Sequence, residues 1–305
     1  MGGRFLSIGE CMVELSQAGD GLLRKGFAGD TLNTAWYARA CLPQEWSVDY
    51  FTALGDDPLS GEMLAFIQNA GIGTHNVSRI TGGTPGLYLI NLKDGERTFS
   101  YWRSTSAARQ LAADADHLRA TIEAADIVYF SGITLAILAT PIAVDTFLAE
   151  LRRAKAAGKQ VVFDPNIRPR LWANRETMLE TITNGARPAT LVMPSFDDEA
   201  DNFGDADVEA TIARYRSLGV ANVVVKDGAK GATLDFEGKR SHAPAVEAVN
   251  VVDTTSAGDS FNGAFLSRLI TGSTPEEAAT YAAKAAATVI GHHGALISPD
   301  LLPKP

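Results

Sequence analysis

The chain is short of cysteine, of clustered cationic side chains and of long apolar runs, and each shortage removes a class of protein. Cys11 and Cys41 are its only cysteines. They fit no metal-ligand spacing, and in a chain of this size they read as small buried hydrophobes rather than a disulfide, as expected in a reducing compartment. Lys and Arg total 27 against 36 Asp and Glu, a net charge of −9. Gripping a phosphate backbone needs clustered cations, so nucleic acid is excluded as a partner. The most apolar stretch, residues 127–144, is interrupted by Ser131, Gly132, Thr134, Thr140 and Pro141. It reads as a strand, a loop and a helix start, not a membrane span. Residues 5–8, between Arg4 and Glu10, are too few for the core of a secretory signal, so the expected location is the cytoplasm. No Gly-x-Gly-x-x-Gly follows these residues; Gly9-Glu10-Cys11 stands there instead, which sets aside a nicotinamide dehydrogenase.

What is present is a regular alternation. Short β-rich runs at residues 5–8, 48–54, 127–130, 161–163, 191–193 and 222–225 alternate with longer helical patterns, the signature of βαβ units and a mostly parallel sheet. The 305 residues suffice for one large α/β domain, or one that carries a smaller insertion. Thr140-Pro141 opens a helix that Gly158 ends, and Thr274-Pro275-Glu276-Glu277 is a capping box for the last helix. Two stretches break the rhythm. Residues 87–102 have no helical period and flank Asp94-Gly95, a pair suited to a two-residue hairpin turn. Residues 11–27 also lack a helical stripe. With the hairpin they are expected to form a small antiparallel sheet standing off the main one as a lid, the plainer alternative being an edge hairpin of the main sheet.

The most informative segment is Asp253-Thr254-Thr255-Ser256-Ala257-Gly258-Asp259. It joins a strand-like run at 246–252 to a helix-like run at 260–270. Small side chains at Ser256, Ala257 and Gly258 allow a tight turn, so backbone N–H groups and the positive end of the helix can converge on an anion, phosphate above all. Phe261, Ala264, Phe265 and Leu269 recur at helical spacing and would bury one face of that helix. Asp259 is either a general base for an attacking hydroxyl or an N-terminal cap, and the segment alone leaves both open. Ligands of open parallel sheets bind beyond the carboxyl ends of the strands. Glu10, Gly55-Asp56-Asp57, Asp164-Pro165-Asn166-Ile167-Arg168, Ser195 with Asp198, and Lys226-Asp227-Gly228 all follow strand-like runs and together read as one rim. His292 and His293 are adjacent, diverge on any regular element, and do not read as a metal pair.

These residues resemble the ribokinase (PfkB-type) family of sugar kinases over essentially the whole chain. Residues 253–259 match the family's Asp-Thr-x-Gly-Ala-Gly-Asp signature. Ala28-Gly29-Asp30-Thr31-Leu32-Asn33-Thr34 matches its N-terminal Gly-Gly signature. The preceding Gly9-Glu10-Cys11-Met12-Val13-Glu14-Leu15 is worded like the family's kinases of 2-keto-3-deoxy sugar acids. Pro85-Gly86-Leu87-Tyr88, residues 96–103 and residues 165–172 are further similar runs. The resemblance implies a Rossmann-type, three-layer α/β/α core, one domain over residues 1–305, with a β-sheet lid formed by about 11–34 and 84–104 that often pairs with the lid of a second subunit.

By the same resemblance Asp259 is the catalytic base and Ser256, Ala257 and Gly258 form the anion hole. Asn166, Ser195, Lys226, Gly228 and Gly231 join Ala257 and Gly258 in holding ATP. Gly29, Asp30, Asn33, Tyr88, Tyr101, Arg103 and Arg168 hold the sugar, the two arginines being suited to the carboxylate of a sugar acid. Mg2+ is implied through water near Asp198, and K+ near the carbonyls of Asp253 and Thr255 with the loop at 291–294. Three departures stand out. Ala28 and Ser256 replace family glycines, which is tolerable where the backbone avoids positive φ. The family's Asn-x-x-Glu element reads Ser195-Phe196-Asp197-Asp198 with Glu199 adjacent, so either carboxylate is a candidate for the metal.

Overall fold

The computed structural model describes residues 2–93, 96–248 and 250–304. The chain opens with β1 (Arg4–Ile8), passes through β2 (Met12–Gln17) and β3 (Leu23–Ala28), and enters α1 (Asp30–Cys41). It continues through β4 (Ser47–Phe51), β5 (Ala53–Gly55), α2 (Pro58–Asn69), β6 (Ser78–Ile80), β7 (Gly86–Lys93), β8 (Glu96–Trp102) and α3 (Ala115–Ala124). Alternation then sets in with β9 (Ile127–Ser131), α4 (Gly132–Ile137), α5 (Pro141–Ala156), β10 (Gln160–Asp164), α6 (Arg175–Ala186), β11 (Leu191–Val192), α7 (Phe196–Phe203), α8 (Val208–Ser217) and β12 (Asn222–Lys226). The chain ends with β13 (Ala232–Phe236), β14 (Lys239–Ala243), α9 (Ala257–Ile270) and α10 (Pro275–Ile290).

Eight strands form the main sheet in the order β14-β13-β12-β11-β10-β9-β1-β4. The six from β12 to β4 run parallel, and β13 and β14 extend one edge antiparallel. Successive side chains on a strand point to opposite faces. Leu6, Val128 and Phe163 accordingly pack into one core with residues of α3, α5, α6 and α8, while Phe5, Tyr129 and Val162 join another with α1, α9 and α10. The fold is therefore the expected three-layer α/β/α sandwich. Among the described residues no helix is long and apolar enough to cross a membrane.

Helix boundaries follow the local chemistry. Thr140 caps α5 at Pro141, and the Thr274 and Glu277 side chains reciprocally satisfy the first turn of α10. Chain order reverses between β1 and β9: after β1 the sheet grows to β4, then returns to β9 on the other side. Such a switch opens a crevice at the strand ends.

Several expectations need correction. Residues 246–248 and 250–252 form no strand and have no ladder partner among the described residues; Val252 and Asp253 N–H groups instead bond to Ile290 O (2.8 and 3.0 Å). The run at 48–54 is divided, because β5 pairs with β6 in a separate two-stranded sheet. Asp57 after it caps α2 and Asp56 accepts from Gly82 N, which removes this pair from the rim. The small sheet exists, ordered β3-β2-β7-β8, yet it is mixed: β2 pairs parallel with β7, while β2/β3 and β7/β8 are antiparallel. The reason is that β2 and β7 both leave the core at the same rim and run outward together. The Asp94-Gly95 turn lies outside the described residues. Residues 30–34 belong to α1 of the core, not to this sheet.

Helices α1 and α9 cross closely at Gly263, where an added Cβ would lie 2.6 Å from Thr34 O and 2.9 Å from Ala38 N. Gly263→Ala should force these helices apart and cost about 1–3 kcal/mol of stability, read as a lower urea midpoint; an unchanged midpoint contradicts this close approach.

Candidate active site

The segment before α9 is shaped by its own side chains. Asp253 accepts from Thr255 N (3.1 Å), the Thr255 hydroxyl (2.6 Å) and Gly294 N (2.9 Å), which fastens residues 253–255 to the loop at 291–294. Ser256 is the N-cap of α9 with φ −116°, and Ala28 is not among the positive-φ residues, so neither departure from the family's glycines strains the backbone. The Ser256 hydroxyl does not cap the helix; it donates weakly to Asp259 Oδ2 at 3.4 Å. The first-turn amides thus keep the arrangement that receives an anion. Asp259 itself lies inside the first turn, not at the cap position, and its buried carboxylate accepts from Asn33 Nδ2 at 2.8 Å. The capping alternative is thereby removed.

A second layer of polar groups supports this turn. Asp164, at the end of β10, accepts from Lys226 Nζ (3.1 Å) and Asn262 Nδ2 (2.7 Å) through Oδ2, and from Asn166 N (3.1 Å) through Oδ1. Asn166 adopts φ 35°, a left-handed conformation that Asn tolerates, and its amide donates to Asp30 Oδ2 at 2.8 Å. Asp30, Asn166, Asp164 and Lys226 thus form one hydrogen-bonded chain and Asn33 with Asp259 another, and the two groups are close enough for Asp30, Asp164 and Lys226 to act on Asp259 through their charge. Gly258 borders the same place, since a Cβ there would stand 3.6 Å from Lys226 Nζ. Gly29 precedes α1 where Glu10 O would be only 2.1 Å from a Cβ, a contact that only glycine allows.

This gathering sets the electrostatics. Burial pushes the Asp259 carboxyl up to about 7, with repulsion from Asp30 and Asp164 in the same direction and the Asn33 hydrogen bond and Lys226 charge opposing. Burial also raises Asp30 and Asp198, the latter against the nearby Arg168. A carboxylate poised near neutrality is matched to taking a proton from an alcohol.

The remaining expected residues fall into three groups. Arg168 donates to Asp198 Oδ2 at 3.2 Å on the rim. Glu199 turns inward and is fully buried against Arg214 and Tyr215, so of the two adjacent acids Asp198 faces the site. Ser195 lies beside Lys226, whose N–H donates to Pro194 O at 2.9 Å. Gly228 and Gly231 have φ 49° and 93° in a loop closed by Asp227 N to Gly231 O at 2.7 Å. On the small sheet, the Tyr88 hydroxyl donates to Glu14 and its ring lies 5.9 Å from that of Tyr101, over which Arg170 sits at 5.7 Å. Arg103, just past β8, is paired with Glu10, which also accepts from the Ser106 hydroxyl. Arg103 Nε is buried and meets no hydrogen-bond acceptor among the described residues.

Sequence reasoning missed Asn262 and Tyr129 and did not give Asp164 its central position. Asn262 was detectable: it is an amide side chain one helical turn after Asp259, set between Phe261 and the small and apolar residues 263–266. Among the described residues no three His, Cys, Asp or Glu side chains are gathered as a metal cage, and His292 bonds its own helix through Thr288 O at 2.8 Å.

An anion-receiving helix end, a buried carboxylate beside it and a parallel-sheet switch point define an α/β phosphotransferase. The chain matches the model of the pfkB family carbohydrate kinases over residues 4–301 and belongs to that family. It is 40% identical over 303 residues to the 2-dehydro-3-deoxygluconokinase of Dickeya dadantii, covering 97% of each chain. The PfkB protein of Polaromonas sp. JS666 superimposes with a TM-score of 0.84 at 29% identity over 95% of this chain and 96% of that one. The 2-dehydro-3-deoxygluconokinase of Thermotoga maritima superimposes at 0.85 over 99% and 97%, with 20% identity, a likeness of fold.

An unfolded aspartate titrates near 4, whereas Asp259 in the folded chain does so near 7. Holding its charge therefore costs stability that grows as pH rises between those values and is complete above the higher one. Asp259→Asn should raise Tm, and by more at pH 8 than at pH 4.5. Calorimetry finding equal shifts at both pH values would contradict the assigned burial cost.

Proposed function

We propose that this chain is an ATP-dependent kinase that phosphorylates the C6 hydroxyl of 2-keto-3-deoxygluconate, giving 2-keto-3-deoxy-6-phosphogluconate. The observation that carries this reading is Arg103, whose guanidinium is largely covered and whose buried Nε meets no acceptor among the described residues. A buried donor left unpaired costs about 1–3 kcal/mol, and a sugar carboxylate is the anion whose shape relieves it. The 40% identity to a protein named 2-dehydro-3-deoxygluconokinase, over 97% of both chains, supports the same substrate. Arg168 is the second arm: its side chain is 45% exposed in its pair with Asp198, and exposed pairs are worth only about 0–1 kcal/mol, so it can leave Asp198 for the substrate.

In this reading Gly29, Asp30 and Asn33 hold the sugar hydroxyls, Tyr88 and Tyr101 wall the pocket, and the small sheet closes over it as a lid that excludes water. Asp259 takes the C6 hydroxyl proton as that oxygen bonds to the γ-phosphorus. The bond from the γ-phosphorus to the bridging oxygen breaks, and its electron pair leaves with ADP. Ser256, Ala257 and Gly258 receive the transferring phosphoryl group at the helix end. Asn166, Ser195, Lys226, Gly228 and Gly231 hold the nucleotide.

Enzymes of this family use ATP with Mg2+. The donor set fits an ion that keeps its waters and binds through few carboxylates: Asp198 is the rim acid available for it, and when bound the ion offsets phosphate charge. The Asp253 and Thr255 carbonyls, held against the loop at 291–294, are the proposed K+ site. The lid exposes Leu22, Leu23 and Trp102 (67, 49 and 58%), which supports a homo-oligomer joined lid to lid; a cytoplasmic location belongs to the same proposal.

A coupled ATP-consumption assay over 2-keto-3-deoxy acids and neutral hexoses tests the substrate, and faster turnover of fructose or ribose would replace it. Asp259→Asn should lower kcat by roughly 10²-fold or more with ATP binding retained. Arg103→Ala and Arg168→Ala should raise KM for the sugar acid more than for ATP; equal rises would argue against a carboxylate clamp.

A further inference from the structure

We infer that Asn262 is a positioning residue for phosphoryl transfer: from within α9 it grips β9, β10 and β12 at once, and so fixes the anion-receiving turn against Lys226 and Asp164. The inference rests on the kinase reading above. Asn262 is fully buried in mid-helix, where an amide is a poor helix former and is costly to bury unless bonded. All its polar capacity toward the sheet is used. Nδ2 donates to Asp164 Oδ2 (2.7 Å) and to the Tyr129 hydroxyl (3.1 Å), and Oδ1 accepts from Lys226 Nζ (3.2 Å).

No other contact does the same work. The Ser256 side chain leaves the helix start uncapped, and the Asn33 bond to Asp259 ties the turn only to α1. Thr34 adds to the α1 side, its hydroxyl 3.2 Å from the Tyr129 oxygen and 3.4 Å from Asp259 O. Among the described residues, Asn262 alone bridges the three strands on the sheet side. Without it, Lys226 loses one of its two anchors and Asp164 loses its shortest donor. Packing by itself would be served by any side chain of similar volume, whereas three directional partners demand an amide.

Displacement of reacting groups by about 1 Å costs on the order of 10²-fold in rate, which sets the scale of the test. Asn262→Ala should lower kcat at least about tenfold, with KM for both substrates within about threefold of wild type. Asn262→Asp keeps the shape but turns the donor facing Asp164 into an acceptor, so its kcat should fall at least as far. Active sites are counted by calorimetric titration with ADP, so that misfolded material does not lower the apparent rate. A lower Tm with unchanged kcat per site would overturn the inference in favour of packing, and a rise in KM at unchanged kcat would overturn it in favour of direct binding. Should the aspartate variant fail to fold, Asn262→Ala and Tyr129→Phe, which removes one hydroxyl partner, decide the matter by the same split. Wild-type turnover measured alongside tests the kinase reading separately: if no sugar is phosphorylated that reading falls, whereas normal wild-type turnover with unaffected Asn262 variants sinks only this inference.

Discussion

A carboxylate buried at the positive end of a helix, with two other acids close by, governs how the rest of this molecule is built. Asp259 loses hydration and feels Asp30 and Asp164, while the Asn33 hydrogen bond, the weak Ser256 hydroxyl bond, the charge of Lys226 and the helix end compensate. An arrangement that raises a group's energy persists only when the surroundings hold it from several directions. Here they do so from both sides: α1 crosses α9 at a glycine and contributes Asn33, while the sheet contributes Asp164 and Lys226. The switch between β1 and β9 opens the crevice in which these groups can meet a substrate.

The same economy of charge appears at the lid. Arg103 is largely covered at the junction of the small sheet and the core, and Glu10, just past β1, neutralises it while also accepting from Ser106. One acid thus links the core rim to the end of the lid hairpin. A buried pair of this kind adds little net stability against an apolar alternative, yet loss of either partner leaves an uncompensated charge. Its value lies in orientation: the guanidinium is held in place with its buried Nε still unpaired among the described residues.

The parallel core was legible because its strands are short apolar runs set between amphipathic helices, and helix starts such as Thr140-Pro141 and Thr274 carry their own chemical marks. The start of α9 was legible because small residues followed by an acid mark a tight turn into a helix. Misreadings arose where local pattern lacks its tertiary partner. Residues 246–252 have β-forming valines, but Val246, Val251 and Val252 stay exposed (38, 65 and 37%) because no neighbouring strand pairs with them, and β-propensity reflects such packing more than backbone preference. The parallel pairing of β2 with β7 depends on where both strands leave the core, which neither segment encodes alone. Glu199 and Asp198 are adjacent acids in sequence, and only helix phase separates the one buried against Arg214 from the one facing the rim. Asn262 escaped notice because its purpose is defined by partners on three strands far apart in the chain.

If Asp259 is the base, the fold must hold its carboxyl poised near neutrality before any substrate binds. Carbon-13 NMR titration of the aspartate carboxyl carbons, with Asp259→Asn as the difference blank, measures this directly. A resonance titrating near pH 7 and missing from the variant is the expected result; an Asp259 resonance titrating at the ordinary value near 4 would contradict the account.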